Sequence, residues 1–247
     1  MRLEISSRAV LAIVVFAAGC ATTQPQVGME APGRPAVTWH SEDGDASPAP
    51  EARAPKDTER ELLAEVHDTE QNGTNDLALA GALYNLAILR RQQGDLAEAA
   101  QLYRRALAIR EHEQGPNHPD VAVVLNNLAA LEGAQGHYDA AQPLLERALS
   151  IRQMALGNHD ALTAQSLNNL ALLYAAQDNA AAAEPLYRRA LAILEKTPAP
   201  APAELARMLE NYAALLHDTG RDAEADELEA RARVIRADTT PPRDTPP

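Results

Sequence analysis

Between residues 78 and 238 apolar side chains return at helical spacing, and the whole pattern then returns every 42 residues. In the first copy Leu83, Leu86, Ala87 and Leu89 fall on one face of a helix running from about Leu77 to Gln93. Gly94 closes it, because glycine accepts the left-handed backbone that ends a helix. Asp95 then caps a second helix, with Glu98 three residues on completing a capping box. That helix continues to about Glu113 and buries Leu96, Ala99, Leu102, Tyr103, Ala106, Leu107 and Ile109. The copies are direct: Asn85-Leu86-Ala87 recurs as Asn127-Leu128-Ala129, Asn169-Leu170-Ala171 and Asn211-Tyr212-Ala213. The turn recurs as Gly136-His137 and Gly220-Arg221, and in weaker form as Asp178-Asn179. Pro143 and Pro185 fall inside second helices, where each should delete a hydrogen bond and bend the helix.

A fixed period of this length marks one helix-turn-helix unit stacked on itself, each copy burying its apolar face against the next. The fold class is therefore all-α, with about four repeats at 78–114, 120–156, 162–197 and 203–238. Gly115-Pro116-Asn117-His118-Pro119-Asp120 and the shorter Gly157-Asn158-His159-Asp160 join the first three, and the third junction, residues 197–202, is a stiff proline linker. The last helix is heavily charged, as a terminal repeat needs when one face meets water. Residues 58–77 read as a lead-in helix. Residues 20–57 are rich in Thr, Gln, Pro, Ala and Gly without apolar periodicity, the composition of a disordered tether. Residues 239–247 form a disordered tail. Trp39 is either a stray residue of the tether or part of a short binding motif.

Residues 1–19 carry Arg2 and Arg8, then an apolar run Ala9–Ala18 too short to span a bilayer. This is the layout of a secretory signal. The ending Ala17-Ala18-Gly19-Cys20 resembles the bacterial lipobox, at which the cysteine is acylated and becomes the first residue. Ala17 stands where that pattern prefers Leu, and Glu4 is unusual in a basic leader. The resemblance implies lipidation at Cys20. With Ala21 next rather than Asp, it also implies the outer membrane of a Gram-negative bacterium, periplasmic face. Cys20 is the only cysteine, so no internal disulfide competes for it. The alternative is an ordinary signal with an incidental cysteine.

Charge narrows the function classes. Thirty-five acids against 22 bases leave a formal charge of −13, which argues against nucleic acid as a partner and gives no support to broad adsorption on anionic lipid. The only Phe and the only Trp, Phe16 and Trp39, lie outside the repeats, so the array offers no aromatic platform for stacked bases. Its core must be Ala, Leu, Ile, Val and Tyr, which suits close helix packing.

The words Asn-Leu-Ala, Gly-Asp/His, Glu-Ala-Ala and Tyr-Arg-Arg-Ala-Leu at these spacings resemble tetratricopeptide repeats. The stretched period, with Leu-Asn-Asn-Leu-Ala and Gly-Pro-Asn-His-Pro-Asp, is similar to the kinesin-light-chain type. The resemblance covers about two-thirds of the chain and implies a right-handed superhelical solenoid. The family's usual Tyr late in the first helix survives only as Tyr174, with Arg90, Glu132 and Leu216 in that slot elsewhere, so packing there should be irregular.

In this family the first helices line a concave groove. Carried over by position, the groove would show Tyr84, Ile88, Arg91 and Gln92; then Val123, Asn126, Ala130 and Ala134; then Gln165, Asn168, Leu172 and Ala176; and finally Arg207, Glu210, Ala214 and His217. Small apolar floors flanked by amides suit an extended or helical peptide. Asn126 and Asn168 are the preferred contacts, because Asn85, Asn127, Asn169 and Asn211 recur in every copy and fit a bond between neighbouring helices. A clamp for a C-terminal carboxylate built from several Lys and Asn is absent.

No catalytic, cofactor or metal motif stands out. No His-Glu-x-x-His occurs, and a lone cysteine builds no thiolate site; His112, His118 and His159 read as solvated loop residues. Arg104-Arg105 and Arg188-Arg189 read as salt-bridging residues of the second helix. The function expected is a non-catalytic scaffold that holds a protein or peptide partner in its groove and, lipid-anchored, aids assembly of an envelope complex. Two alternatives remain: an enzyme or enzyme subunit using Glu210, His217 and Asp218, and a self-associating structural protein.

Overall fold

The computed structural model describes residues 55–72, 76–197 and 201–239. The leader, Cys20, the tether up to residue 54, residues 198–200 of the proline linker and residues 240–247 lie outside the described residues. Within them are nine helices and no strand: α1 (Pro55–Asn72), α2 (Asp76–Gln92), α3 (Leu96–Gln114), α4 (Pro119–Ala134), α5 (Tyr138–Leu156), α6 (Ala161–Ala176), α7 (Ala180–Leu194), α8 (Pro202–Asp218) and α9 (Asp222–Thr239). From α2 onward they pack in consecutive pairs, and each pair packs on the next, giving a repeat solenoid.

Alanine sets how closely the units stack. Ala80, Ala122, Ala164 and Ala206 share one register, Ala99, Ala141, Ala183 and Ala225 another, and all eight are fully buried. A larger side chain in these slots would force the helices apart, so the period is held by size as much as by apolarity. Leucines, three tyrosines and a few Val, Ile and Met side chains fill the remaining space, with Leu83, Leu125, Leu167 and Leu209 at 0% exposure.

The turn between paired helices is built identically four times. The N–H of Asp95, His137, Asn179 and Arg221 donates to the carbonyl of Arg90, Glu132, Tyr174 and Leu216 at 2.8–2.9 Å. This closure needs a left-handed residue just before the donor. Gly94, Gly136 and Gly220 supply it at φ 85°, 79° and 75°, and Asp178 does so at φ 57°. Asp95 caps α3, its Oδ1 accepting from the Glu98 N–H at 3.1 Å. The expected return bond of a capping box is not the one formed. Glu98 instead meets Arg90 Nε at 2.8 Å, because the Asp95 N–H is already taken by the Arg90 carbonyl.

The slot late in the first helix is irregular. Arg90 pairs with Glu59 of α1 and with Glu98, Glu132 with Arg104 and His137, Tyr174 accepts from Gln142, and Leu216 joins the core. Pro143 and Pro185 leave α5 and α7 as single helices. Each sits early enough that the missing N–H affects only a first-turn carbonyl.

Candidate partner-binding groove

The first helices of successive repeats touch directly from α4 to α6 and from α6 to α8, and a line of polar side chains joins them. Asn127 Nδ2 donates to the Tyr84 hydroxyl, Asn126 Nδ2 to Ser166 Oγ at 3.2 Å, and Asn211 Nδ2 to Asn168 Oδ1 at 3.2 Å. Asn126 and Asn168 are 0% and 2% exposed. Both amides that were preferred as ligand contacts therefore lie in the seam beneath the groove surface, where amides bridge helices and fix their spacing. Ala130 and Leu172 are buried beside them.

Tyr84, Ile88, Arg91, Gln165 and Glu210 remain half-exposed, and Ile88 packs on the core of the first repeat. Tyr84 lies 5.7 Å from Tyr103 with Arg110 5.6 Å over its ring. Gln165 Oε1 accepts from Arg152 at 3.2 Å. Glu210 takes a two-point bond from Arg236 of α9, both at 2.7 Å.

The adjacent register, Gly81, Val123, Gln165 and Arg207, is half-exposed in every copy. Along the array this line passes from bare backbone through an apolar residue and an amide to a cation. Gln165, Asn168, Glu204, Arg207 and Met208 surround a shallow depression at its cationic end. Desolvation pushes the Arg207 guanidinium below its ordinary pKa, and Arg236 acts the same way, while Glu204 and Glu210 oppose them through space. Arg207 makes no ion pair among the described residues.

Two residues that hold the groove in shape escaped the sequence reading. Arg152 of α5, only 1% exposed, donates to the Leu162 carbonyl at 2.7 Å and to Ser166 Oγ at 3.0 Å. It thereby pins α6 of the next repeat. The available signal was Ser166 itself, which stands where Ala82, Val124 and Met208 stand in the other copies.

The outer face carries its own arginine column. Arg147 pairs with Glu111 and Arg231 with Glu195, each reaching back to the preceding helix pair, and Arg105 pairs with Glu70 of α1. Arg189 bonds to the Asn158 amide at 2.8 Å instead, because Gln153 occupies the acid's slot.

Glu210, His217 and Asp218 do not converge. Glu210 faces Arg236, and His217 places its two ring nitrogens toward Asp222 and Glu229 of α9. The hydrogen bond to Asp222, the largest cause, raises the His217 pKa against a weaker opposing desolvation. His217, Asp226 and Glu229 are the one group of His and acid side chains among the described residues whose ligand atoms approach closely enough to share a metal ion. Among the described residues no helix is long and apolar enough to cross a membrane.

Comparison with known proteins gives the architecture its relatives. The family model described as Tetratricopeptide repeat matches residues 78–154, 135–196 and 162–238. The crystal structure of BtubC (BKLC) from P. vanneervenii aligns with a TM-score of 0.64 and 27% identity, over 78% of this chain and 76% of that one. A Podosopora anserina protein of the kinesin-light-chain type, with nearly identical TPR-like repeats, aligns at 0.61 and 23% identity, over 76% and 89%. MamA aligns at 0.51 and 13% identity, over 76% and 96%; at such identities the last two speak for the fold alone. A search of curated proteins gives no match.

Proposed function

The chain belongs to the tetratricopeptide repeat family, whose arrays generally mediate protein–protein interaction, and from that premise we propose that it is a non-catalytic scaffold. It takes one extended segment of a partner protein along the half-exposed line Val123, Gln165 and Arg207. The observation that carries this reading is Arg207: a half-exposed guanidinium lining a shallow depression of a strongly acidic protein, with no ion pair among the described residues. A carboxylate on the partner would supply the missing charge-assisted bond, while Val123 offers apolar contact farther along. Fixed helices below, joined by the buried amides, keep the surface preorganised, so little ordering is needed on binding.

The same proposal places the array on a lipid anchor. Acylation at Cys20 would tether it to the periplasmic face of the outer membrane, since two or more acyl chains anchor stably. A tether of this length reaches roughly 30–35 Å as a random coil, enough to find a partner in the membrane or the nearby wall and to aid assembly of an envelope complex. Metabolic labelling with an alkyne fatty acid tests the anchor. Label that persists after Cys20→Ser would reject it.

The groove is tested by a photoreactive residue at position 165 in living cells, followed by mass spectrometry of the adducts. One dominant envelope protein, lost on Arg207→Glu, is expected. Adducts only to a second copy of this chain would overturn the reading in favour of self-association. An enzymatic activity that falls on His217→Ala would overturn its non-catalytic part.

A further inference from the structure

We infer that His217, Asp226 and Glu229 form a binding site for a divalent transition-metal ion, with zinc as the probe that reads it. The site stands apart from the proposed groove contacts and does not depend on them.

The chain brings these groups together through the last helix pair. His217 lies in the final turn of α8, and Asp226 and Glu229, three apart on α9, share one helix face turned toward it. One ligand atom from each lies within 4.8 Å of the others. The two sides of the imidazole are not equivalent. Its Nδ1 stands 2.8 Å from Asp222 Oδ1, a good hydrogen-bond length. Its Nε2 stands 3.4 Å from Glu229 Oε1, which is long for such a bond. Two donors each roughly 2.0–2.1 Å from a tetrahedral ion stand about 3.4 Å apart, so the second spacing fits two ligands of one metal better than a donor and its acceptor.

Asp222 then acts as a positioning residue. By accepting the Nδ1 proton it fixes the tautomer whose Nε2 lone pair faces Asp226 and Glu229, the outer-shell arrangement that metal-ligating histidines use. One imidazole with two carboxylates suits zinc, nickel or copper, whereas calcium and magnesium prefer oxygen alone. Glu229 and Asp226 are open to water, so an ion has a path in and both carboxylates can close the remaining distance by rotamer change. Three protein ligands leave one position for water or for a donor from a partner. A bound ion would staple α8 to α9 within the fourth repeat.

The test is calorimetric titration of the full chain with zinc chloride, beside His217→Ala, the double variant Asp226→Asn/Glu229→Gln, Asp222→Ala and Asp222→Asn. One saturable site at micromolar zinc is expected. It should be lost in the first two variants and weakened about 10- to 100-fold in Asp222→Ala, while Asp222→Asn, which keeps an acceptor for Nδ1, retains most of it. Joint replacement of His112 and His118 by Ala should leave the affinity unchanged. Circular dichroism confirms that each variant remains helical, and cobalt(II) absorption in the visible region, absent in His217→Ala, reports ligation directly. Zinc affinity that survives His217→Ala, or no saturable binding below millimolar zinc, overturns the assignment.

Discussion

Two seams of this array occupy the same register and are filled with opposite chemistry. Between the second and third repeats, buried Arg152 donates to the Leu162 carbonyl, Gln165 Oε1 and Ser166 Oγ. Between the third and fourth, the slots of Arg152 and Ser166 hold Leu194 and Met208, packed together in one apolar cluster with Ala164, Leu167 and Ile193. Each solution works only as a pair. A leucine facing Ser166 leaves its hydroxyl with the Asn126 amide alone, and a guanidinium facing methionine has nothing to bond. The fold accepts either filling provided both partners change together, because a buried polar group is costly chiefly when it is left alone.

The strongest way to break this comparison is to swap one seam toward the other. Arg152→Leu alone should destabilise the protein by about 2–3 kcal/mol, through the hydrogen bonds lost at Ser166 Oγ, Gln165 Oε1 and the Leu162 carbonyl. Adding Ser166→Met should return a large part of that loss. Denaturant unfolding of the two single variants and the double closes the cycle. Additive losses would mean that the two seams are not interchangeable and that Arg152 acts through something other than its partner slot.

The seams should also part company with pH. At the outer edge of the third seam, the one between the third and fourth repeats, Glu184 accepts from Arg221 at 2.7 Å, Arg188 at 2.6 Å and the Tyr212 hydroxyl at 3.1 Å. The Arg221 bond, ahead of a partly opposing desolvation, holds the Glu184 carboxyl below its ordinary pKa. A carboxyl whose folded pKa is depressed contributes stability that is present above its unfolded value, about 4.3, and lost as pH falls through the lowered folded value. The Leu162 carbonyl, Gln165 amide and Ser166 hydroxyl that accept from Arg152 do not titrate there. Hydrogen exchange between pH 5 and pH 3 should therefore show α8 and α9 losing protection before α5 and α6. Glu184→Ala should move the same helices at neutral pH by about 1 kcal/mol, a modest effect because water still reaches the carboxylate. Uniform loss across all four helices would remove the distinction.

This contrast also shows where sequence reasoning stops. The solenoid was readable because four copies repeat the same buried alanines and leucines, and any one copy confirms the others. Asn126 and Asn168 were harder. Their registers mark them as facing along the groove, yet α4, α6 and α8 lie so close that these amides bridge the seam. Helix spacing is a property of the stack, invisible in any one repeat. Arg152 and Ser166 belong to different repeats and matter only jointly. His217 meets Asp226 and Glu229 through the hairpin between α8 and α9, so no linear metal motif announces them.

A finer probe lies within the third seam itself. Tyr187 and Tyr212 stack at 5.7 Å, but only Tyr212 has its hydroxyl bonded, to Arg188 and Glu184. The Tyr187 hydroxyl is buried with no hydrogen-bond partner among the described residues, and burial pushes its pKa well up. Tyr212→Phe should cost about 1 kcal/mol, whereas Tyr187→Phe should be neutral or slightly stabilising. Thermal melts of both variants decide it. A marked loss from Tyr187→Phe would mean that its hydroxyl is satisfied by ordered water.

The smallest expected change falls between the two seams. Asp178 holds the left-handed position at the α6–α7 turn that glycine holds in the other three copies. Asp178→Gly removes the Cβ strain of that conformation and adds unfolded-state entropy, two effects of similar size and opposite sign. A net gain of about 0.5 kcal/mol is expected, with the strain relief the larger. Where the gain appears is more informative than its size. If the last three repeats open as one unit, protection from exchange rises equally in α5, α6, α7 and α8. If the pH-sensitive seam lets the fourth repeat open by itself, α8 gains nothing while α6 and α7 gain in full, because a repeat array distributes stability only across interfaces that stay closed together.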